Sequence, residues 1–87
     1  MPTVHELKTV PESFEPIEAG IKLFEIRLND RDYQVNDILI LKEWLPDQEE
    51  YTGRAVIAGV AFILTDSEWG LKPDYIAMSI KIMAVEV

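Results

Sequence analysis

The stretch Arg54-Ala55-Val56-Ile57-Ala58-Gly59-Val60-Ala61-Phe62-Ile63-Leu64 decides the fold class. A strand with one wet face alternates apolar and polar side chains, whereas this run is apolar at odd and even positions alike. Both of its faces need cover. In a chain of 87 residues an open flat sheet would leave too much apolar surface in water, and a sheet that curls on itself would not. Gly59 lies inside the run, where a bulge or sharp bend lets a strand turn a barrel corner. The apolar run is far too short to span a bilayer.

The reading extends outward from there. Tyr75 to Val87 is again apolar on both faces and reads as a last strand, reached through an irregular stretch, Asp66 to Asp74, with one helical turn. On the other side, Pro46 to Gly53 is polar and reads as a hairpin loop, with Asp47, Glu49 and Glu50 as a solvated acidic tip. Ile38 to Leu45 reads as a strand entered through the turn Asn36-Asp37. Lys22 to Leu28 alternates: Phe24, Ile26 and Leu28 share one face, and Leu23, Glu25 and Arg27 the other. Lys22 joins Glu25 and Arg27 only if the strand begins irregularly. This second strand is expected to be central, where charged side chains need a reason. Asn29 to Asp32 is a turn-rich connector.

Pro11 suits the first position of a helix, and Glu12 its N-terminal charge. Phe14 and Ile17 would share a face. Pro16 predicts a short helix over about 11–19, or two turns, before Gly20 ends it. Thr3 to Val10 reads as the first strand. The order is β-α-β-β-β-β, and only the first connection is long enough for a parallel crossover. The expected class is α+β, mainly β: a curled five-stranded sheet or small β-barrel with one or two short helices, forming one domain over residues 1–87.

Composition narrows the chemistry. The absence of cysteine excludes disulfides, thiolate metal sites and cysteine nucleophiles, and a single histidine, His5, excludes a His-rich metal site. No metal and no cofactor is expected. No basic stretch followed by an apolar run opens the chain, so no signal peptide and no membrane association are expected, and the expected location is cytoplasmic. The net charge of −8 argues against binding an extended duplex, which needs a basic face. Yet four of the eight basic residues, Lys8, Lys22, Arg27 and Arg31, fall within the first 31 positions. A small basic pocket inside an acidic shell is compatible with that.

Gly20-x-Lys22-x-x-Glu25-x-Arg27 resembles the signature of ASCH domains, relatives of the activating signal cointegrator domains in the PUA-like superfamily. Neighbouring words agree. His5-Glu6-Leu7-Lys8 precedes a Pro-x-x-Phe turn at Pro11 to Phe14, and Asn29-Asp30-Arg31-Asp32-Tyr33 follows the signature. Val35-Asn36-Asp37-Ile38-Leu39 is similar to a Val-Gly-Asp-x-Leu strand opener, and Tyr51-Thr52-Gly53-Arg54 to the hairpin ending of one small microbial branch. The resemblance covers His5 to Ile80. It implies a PUA-like barrel with a cleft beside the second strand and a ligand that is RNA or a nucleotide. Some small relatives hydrolyse the acyl group of N4-acylated cytidine, with a Lys-x-x-Thr pattern whose threonine is the nucleophile. Here Glu25 holds the threonine's place, and a carboxylate does not simply replace a hydroxyl. Asn36 stands where the opener has glycine, and asparagine tolerates the left-handed backbone the turn needs.

The candidate ligand-binding residues are His5, Lys8, Lys22, Glu25, Arg27, Arg31 and Trp69. Lys22 offers a point charge to a phosphate or oxyanion; the alternative is a solvated lysine. Glu25 and Arg27 offer an acceptor and a forked donor to a base or phosphate, or else pair structurally. His5 can stack or shuttle a proton, or be a buried histidine bonded to backbone. Lys8 is a pocket cation. Arg31 reaches the same cleft or is held by Asp30 and Asp32. Trp69 sits where a lid would, and Trp44 is expected to pack on the barrel. If the chain is an enzyme, Lys22, Glu25 and Glu68 are the catalytic candidates. The function expected is binding of RNA, a nucleotide or a modified nucleoside. The alternatives are an amidohydrolase acting on N4-acylated cytidine and a protein-interaction domain built on long apolar strands and two tryptophans.

Overall fold

The computed structural model describes residues 1–65 and 69–87. It contains β1 (Val4–Thr9), α1 (Pro11–Glu18), β2 (Phe24–Leu28), β3 (Ile38–Leu45), β4 (Glu50–Leu64) and β5 (Tyr75–Glu86). The strands form one five-stranded sheet in the order β1-β3-β4-β5-β2. The β1–β3 pair is parallel and the others are antiparallel. The class is α+β, mainly β, with one short helix on a curled sheet.

Two expectations are corrected by this topology. The connection through α1 does not make β1 and β2 parallel neighbours: β1 pairs with β3, and β2 pairs with β5 at the far end of the sheet. Strand β2 is therefore an edge and not a central strand. A third correction is local. β4 begins at Glu50, not Arg54, which leaves residues 46–49 as the hairpin tip, with Glu49 at φ 51°. The register slips between Lys42 and Trp44 to accommodate the longer pairing.

The curl comes from irregularities on either side of Gly59. The β4–β5 register shifts between Ile57 and Ala58 and again between Val60 and Phe62. Such bulges bend a strand and increase its twist. Gly59 itself stays in register with Ile38 and Lys81. A Cβ placed on it would meet Met83 Sδ at 3.6 Å, an ordinary contact. The bend is thus made by its neighbours.

The core lies on the concave side, where Leu7, Leu39, Leu41, Val56, Ala58, Val60, Ile76, Met78 and Ile80 meet Phe14 and Ile17 of α1. Phe14 and Ile17 share the buried face of the helix, as their spacing predicts. Pro16 sits inside α1 without splitting it. In so short a helix it removes only one interior donor. The Pro16 carbonyl accepts from Ile21 N at 2.9 Å and Lys22 N at 3.0 Å. With Gly20 at φ 76°, that turn keeps Lys22 out of β2, in the irregular entry its cooperation with Glu25 requires.

A half-buried arginine pairs with the buried Glu43 and fastens α1 to the sheet. Glu43 accepts from Arg54 Nε at 2.8 Å, Arg54 Nη2 at 2.9 Å and Thr52 Oγ1 at 2.8 Å. Arg54 Nη1 reaches Glu18 at 3.0 Å, and the guanidinium lies 5.0 Å from the Phe14 ring. The Arg54 hydrogen bonds, opposed by burial, hold the Glu43 carboxyl below its ordinary value. Thr52 and Arg54 are therefore structural residues, both feeding one carboxylate.

Asn36 adopts φ 79° in the turn before β3, and its N–H donates to Val60 O at 2.8 Å. Asn36→Gly should leave the urea midpoint almost unchanged. Asn36→Val should cost about 1–2 kcal/mol, since a β-branched side chain is strained in the left-handed region. Equal midpoints for the two variants would disprove a conformational role. Among the described residues no helix is long and apolar enough to cross a membrane.

Candidate functional site

The curl brings the two sheet edges, β1 and β2, face to face without joining them in a ladder. Side chains span the gap instead. Arg27 Nη2 donates to Lys8 O at 3.1 Å and to Thr9 Oγ1 at 3.4 Å. Arg31 Nη1 donates to Glu6 O at 3.2 Å. Each guanidinium thus satisfies a carbonyl that an edge strand leaves unpaired. The seam is a groove crossed by arginines.

Arg27 divides this groove. On one side lies a hollow of about 420 Å³ lined by Glu6, Lys8, Arg27, Arg31, Tyr33 and Tyr51, among others. On the other lies one of about 330 Å³, whose walls include Thr9, Ser13, Lys22, Glu25 and Arg27. Glu25 is 3% exposed. Its carboxylate accepts from Arg27 Nε at 2.7 Å and from Lys22 Nζ at 3.4 Å. Each carboxylate oxygen has capacity for a further bond, so the pairing leaves Glu25 able to accept from a guest.

The larger hollow has a different character. Tyr33 is buried at its floor, and burial pushes the phenol up, partly offset by the charges of Arg27 and Arg31. At neutral pH it is an uncharged hydroxyl. At the rim, Lys8 Nζ sits 4.0 Å from the centre of the Trp44 ring. Trp44 meets Tyr51 edge to face at 4.8 Å, and Lys42 Nζ lies 4.5 Å over Tyr51. Lys42 also pairs with Glu6 at 3.2 Å. Among the described residues, Lys8 and Arg31 have no carboxylate within ion-pair distance.

Five of the residues singled out from the sequence therefore converge on the groove: Lys8, Lys22, Glu25, Arg27 and Arg31. Arg31 is not held by Asp30 or Asp32; it crosses to β1. His5 is not in the groove. It is buried in the row that faces the core, and its Nε2 donates to Asp37 Oδ2 at 2.8 Å while its ring lies 4.7 Å from that of Tyr33. Its partner is a side chain rather than backbone. Trp69 is exposed and lines neither hollow. Trp44 stands at the groove rim. Glu68 lies outside the described residues. Sequence reasoning passed over Ser13, Tyr33, Tyr51 and Lys42. The aromatic and cationic pair at 42 and 51 had one signal, since both residues flank the hairpin loop; the register sets Trp44 opposite Tyr51 and Lys42 opposite Ala55.

Fold and groove together define the class: a small mainly-β domain whose half-closed sheet holds a charged cleft between its edges. The chain belongs to the family described as "Domain of unknown function (DUF3850)", whose model matches residues 4–80. It is similar to the "Uncharacterized 12.9 kDa protein in GpA 3'region" of Escherichia phage P2. The two are 36% identical over 78 residues, which span 90% of this chain and 68% of that protein.

Proposed function

We propose that the groove binds a nucleotide, a modified nucleoside or a short single strand of RNA, in the manner the ASCH, PUA-like resemblance implies. One observation carries this reading. In a chain with 16 acidic and 8 basic side chains, Lys8 and Arg31 stand without a carboxylate partner among the described residues, and both line the same hollow. Cations left uncompensated amid such an acid excess are suited to an anion from outside. In this reading a phosphate takes the larger hollow, where Lys8 and Arg31 face it and Glu6 and Asp30 bound it. The base then lies beyond Arg27, where Glu25 accepts from an exocyclic amino group and Arg27 donates through Nη1, its Nε and Nη2 being engaged by Glu25, Lys8 and Thr9. The Trp44–Tyr51 rim offers a flanking base a stacking surface.

Titration of nucleoside 5′-monophosphates and short single-stranded RNA at low and moderate salt tests this. Lys8→Ala and Arg31→Ala should each weaken binding about fivefold to tenfold, the value of one charge-assisted contact, and lower the salt slope by about one. No binding by the wild type, or affinities unmoved by both substitutions, would remove the proposal.

A second reading, hydrolysis of N4-acylated cytidine, draws on the Ser13 hydroxyl, which lines the same hollow as Lys22 and Glu25. It requires release of cytidine from N4-acetylcytidine that disappears in Ser13→Ala. Absence of turnover in the wild type disposes of it.

A further inference from the structure

Strand β2 carries its charge inward and its grease outward. Phe24, Ile26 and Leu28 are 48%, 54% and 44% exposed, while Glu25 between them is buried. The register continues this apolar row across the convex side of the sheet. Phe24 sits beside Ser79 and then Phe62, Ile26 beside Ala77 and then Leu64, and Leu28 beside Tyr75. Phe62 is 62% exposed. Among the described residues the charges that border the patch are cations: Lys22 Nζ lies 5.2 Å from the Phe24 ring, and Lys72 shares a hollow with Ile26 and Tyr75.

We infer that this convex face is the interface of a homodimer, with a second copy of the chain as its occupant. The area argues for it. With an aromatic side chain offering about 200 Å², the exposed parts of these residues leave about 500 Å² of contiguous apolar surface, at the upper end of what monomers show. Two copies packed face to face across a two-fold axis would bury roughly 1,000 Å² of it, with rim residues adding to that, which reaches the range of specific interfaces. Charge argues for the same location. Two chains of net charge −8 repel one another, and contact is cheapest where no acidic side chain is desolvated. Leu28 also borders the larger hollow, and Ile26, Leu28 and Tyr75 the smaller one, so a dimer formed here abuts the mouth of the groove.

Sedimentation velocity across the micromolar range, at low and high salt, decides the matter. The wild type should pass from monomer to dimer with concentration, and added salt should tighten the dimer by screening the repulsion. Nucleotide binding in the groove should respond to salt in the opposite sense, which separates the two readings. Phe62→Asp and Ile26→Asp, both at exposed positions, should each weaken self-association roughly tenfold or more while retaining the far-ultraviolet spectrum of the wild type. A wild type that stays monomeric at every concentration and salt overturns the inference, even if the face then proves to bind lipid vesicles. So does a dimer that withstands both substitutions.

Discussion

Arg27→Ala is expected to lower stability by about 2–4 kcal/mol and to abolish the proposed nucleotide binding, because one side chain serves three purposes. It neutralises buried Glu25 at 2.7 Å, ties β2 to the Lys8 carbonyl at 3.1 Å, and forms the wall between the two hollows. Its removal leaves Glu25 with Lys22 alone, at 3.4 Å. The cost is mostly that of a carboxylate short of partners, so Arg27→Ala combined with Glu25→Leu should regain much of the lost stability without regaining binding. Arg27→Lys should be intermediate, since an ammonium cannot reach the carboxylate and the carbonyl together. Urea midpoints for the four proteins provide the test. Arg27→Ala within about 0.5 kcal/mol of the wild type would show that the seam contributes nothing.

The groove was legible in the sequence to the extent that its residues are neighbours in the chain. Glu25 and Arg27, two apart on a strand, had to share a face, whereas Lys22 could join them only through an irregular entry that the alternation did not itself indicate. The doubly apolar run from Arg54 to Leu64 indicated a curled sheet. Long-range partners were not legible. Strand β2 pairs with β5, some fifty residues away, and alternation does not reveal which of its faces points inward. The usual preference for apolar residues inside gives the wrong answer here, since the inner face of β2 borders the seam. His5 was misplaced for the same reason. Its partner Asp37 is 32 residues distant and reads locally as half of an Asn-Asp turn.

Asp37→Ala is expected to have the largest effect on folding, about 3–5 kcal/mol, a large share of what a domain this small possesses. The buried carboxylate accepts from Thr3 N at 3.1 Å, Gln34 N at 3.0 Å and His5 Nε2 at 2.8 Å. Alanine would leave three donors without partners at the junction of β1 and β3. Asp37→Asn keeps the shape but turns one acceptor into a donor that faces His5, so its loss should be smaller yet clear. The same bonds fix the acid limit of stability. Burial pushes the Asp37 carboxyl up, but the hydrogen bonds from His5, Thr3 and Gln34 outweigh it, and the group titrates below its ordinary 3.8. A depressed carboxyl stabilises the fold fully above its unfolded value and loses that contribution as pH falls through the folded one. Glu43, held below 4.5, acts in the same direction. Stability should therefore be flat at mildly acidic pH and decline below about pH 4.5. The decline should be shallower in Asp37→Asn than in the wild type; an unchanged slope would remove Asp37 from the explanation.

A sheet closed by backbone ladders can open only by unzipping a strand. This one is fastened across β1 and β2 by guanidinium groups resting on the carbonyls of Glu6 and Lys8; Arg27 is anchored by Glu25, whereas Arg31, held by one exposed bond, lets go by a change of rotamer. Side-chain rotation in exposed positions takes picoseconds to nanoseconds. Loosening of the seam therefore requires no strand to leave its register, so the closure is a clasp and not a hoop.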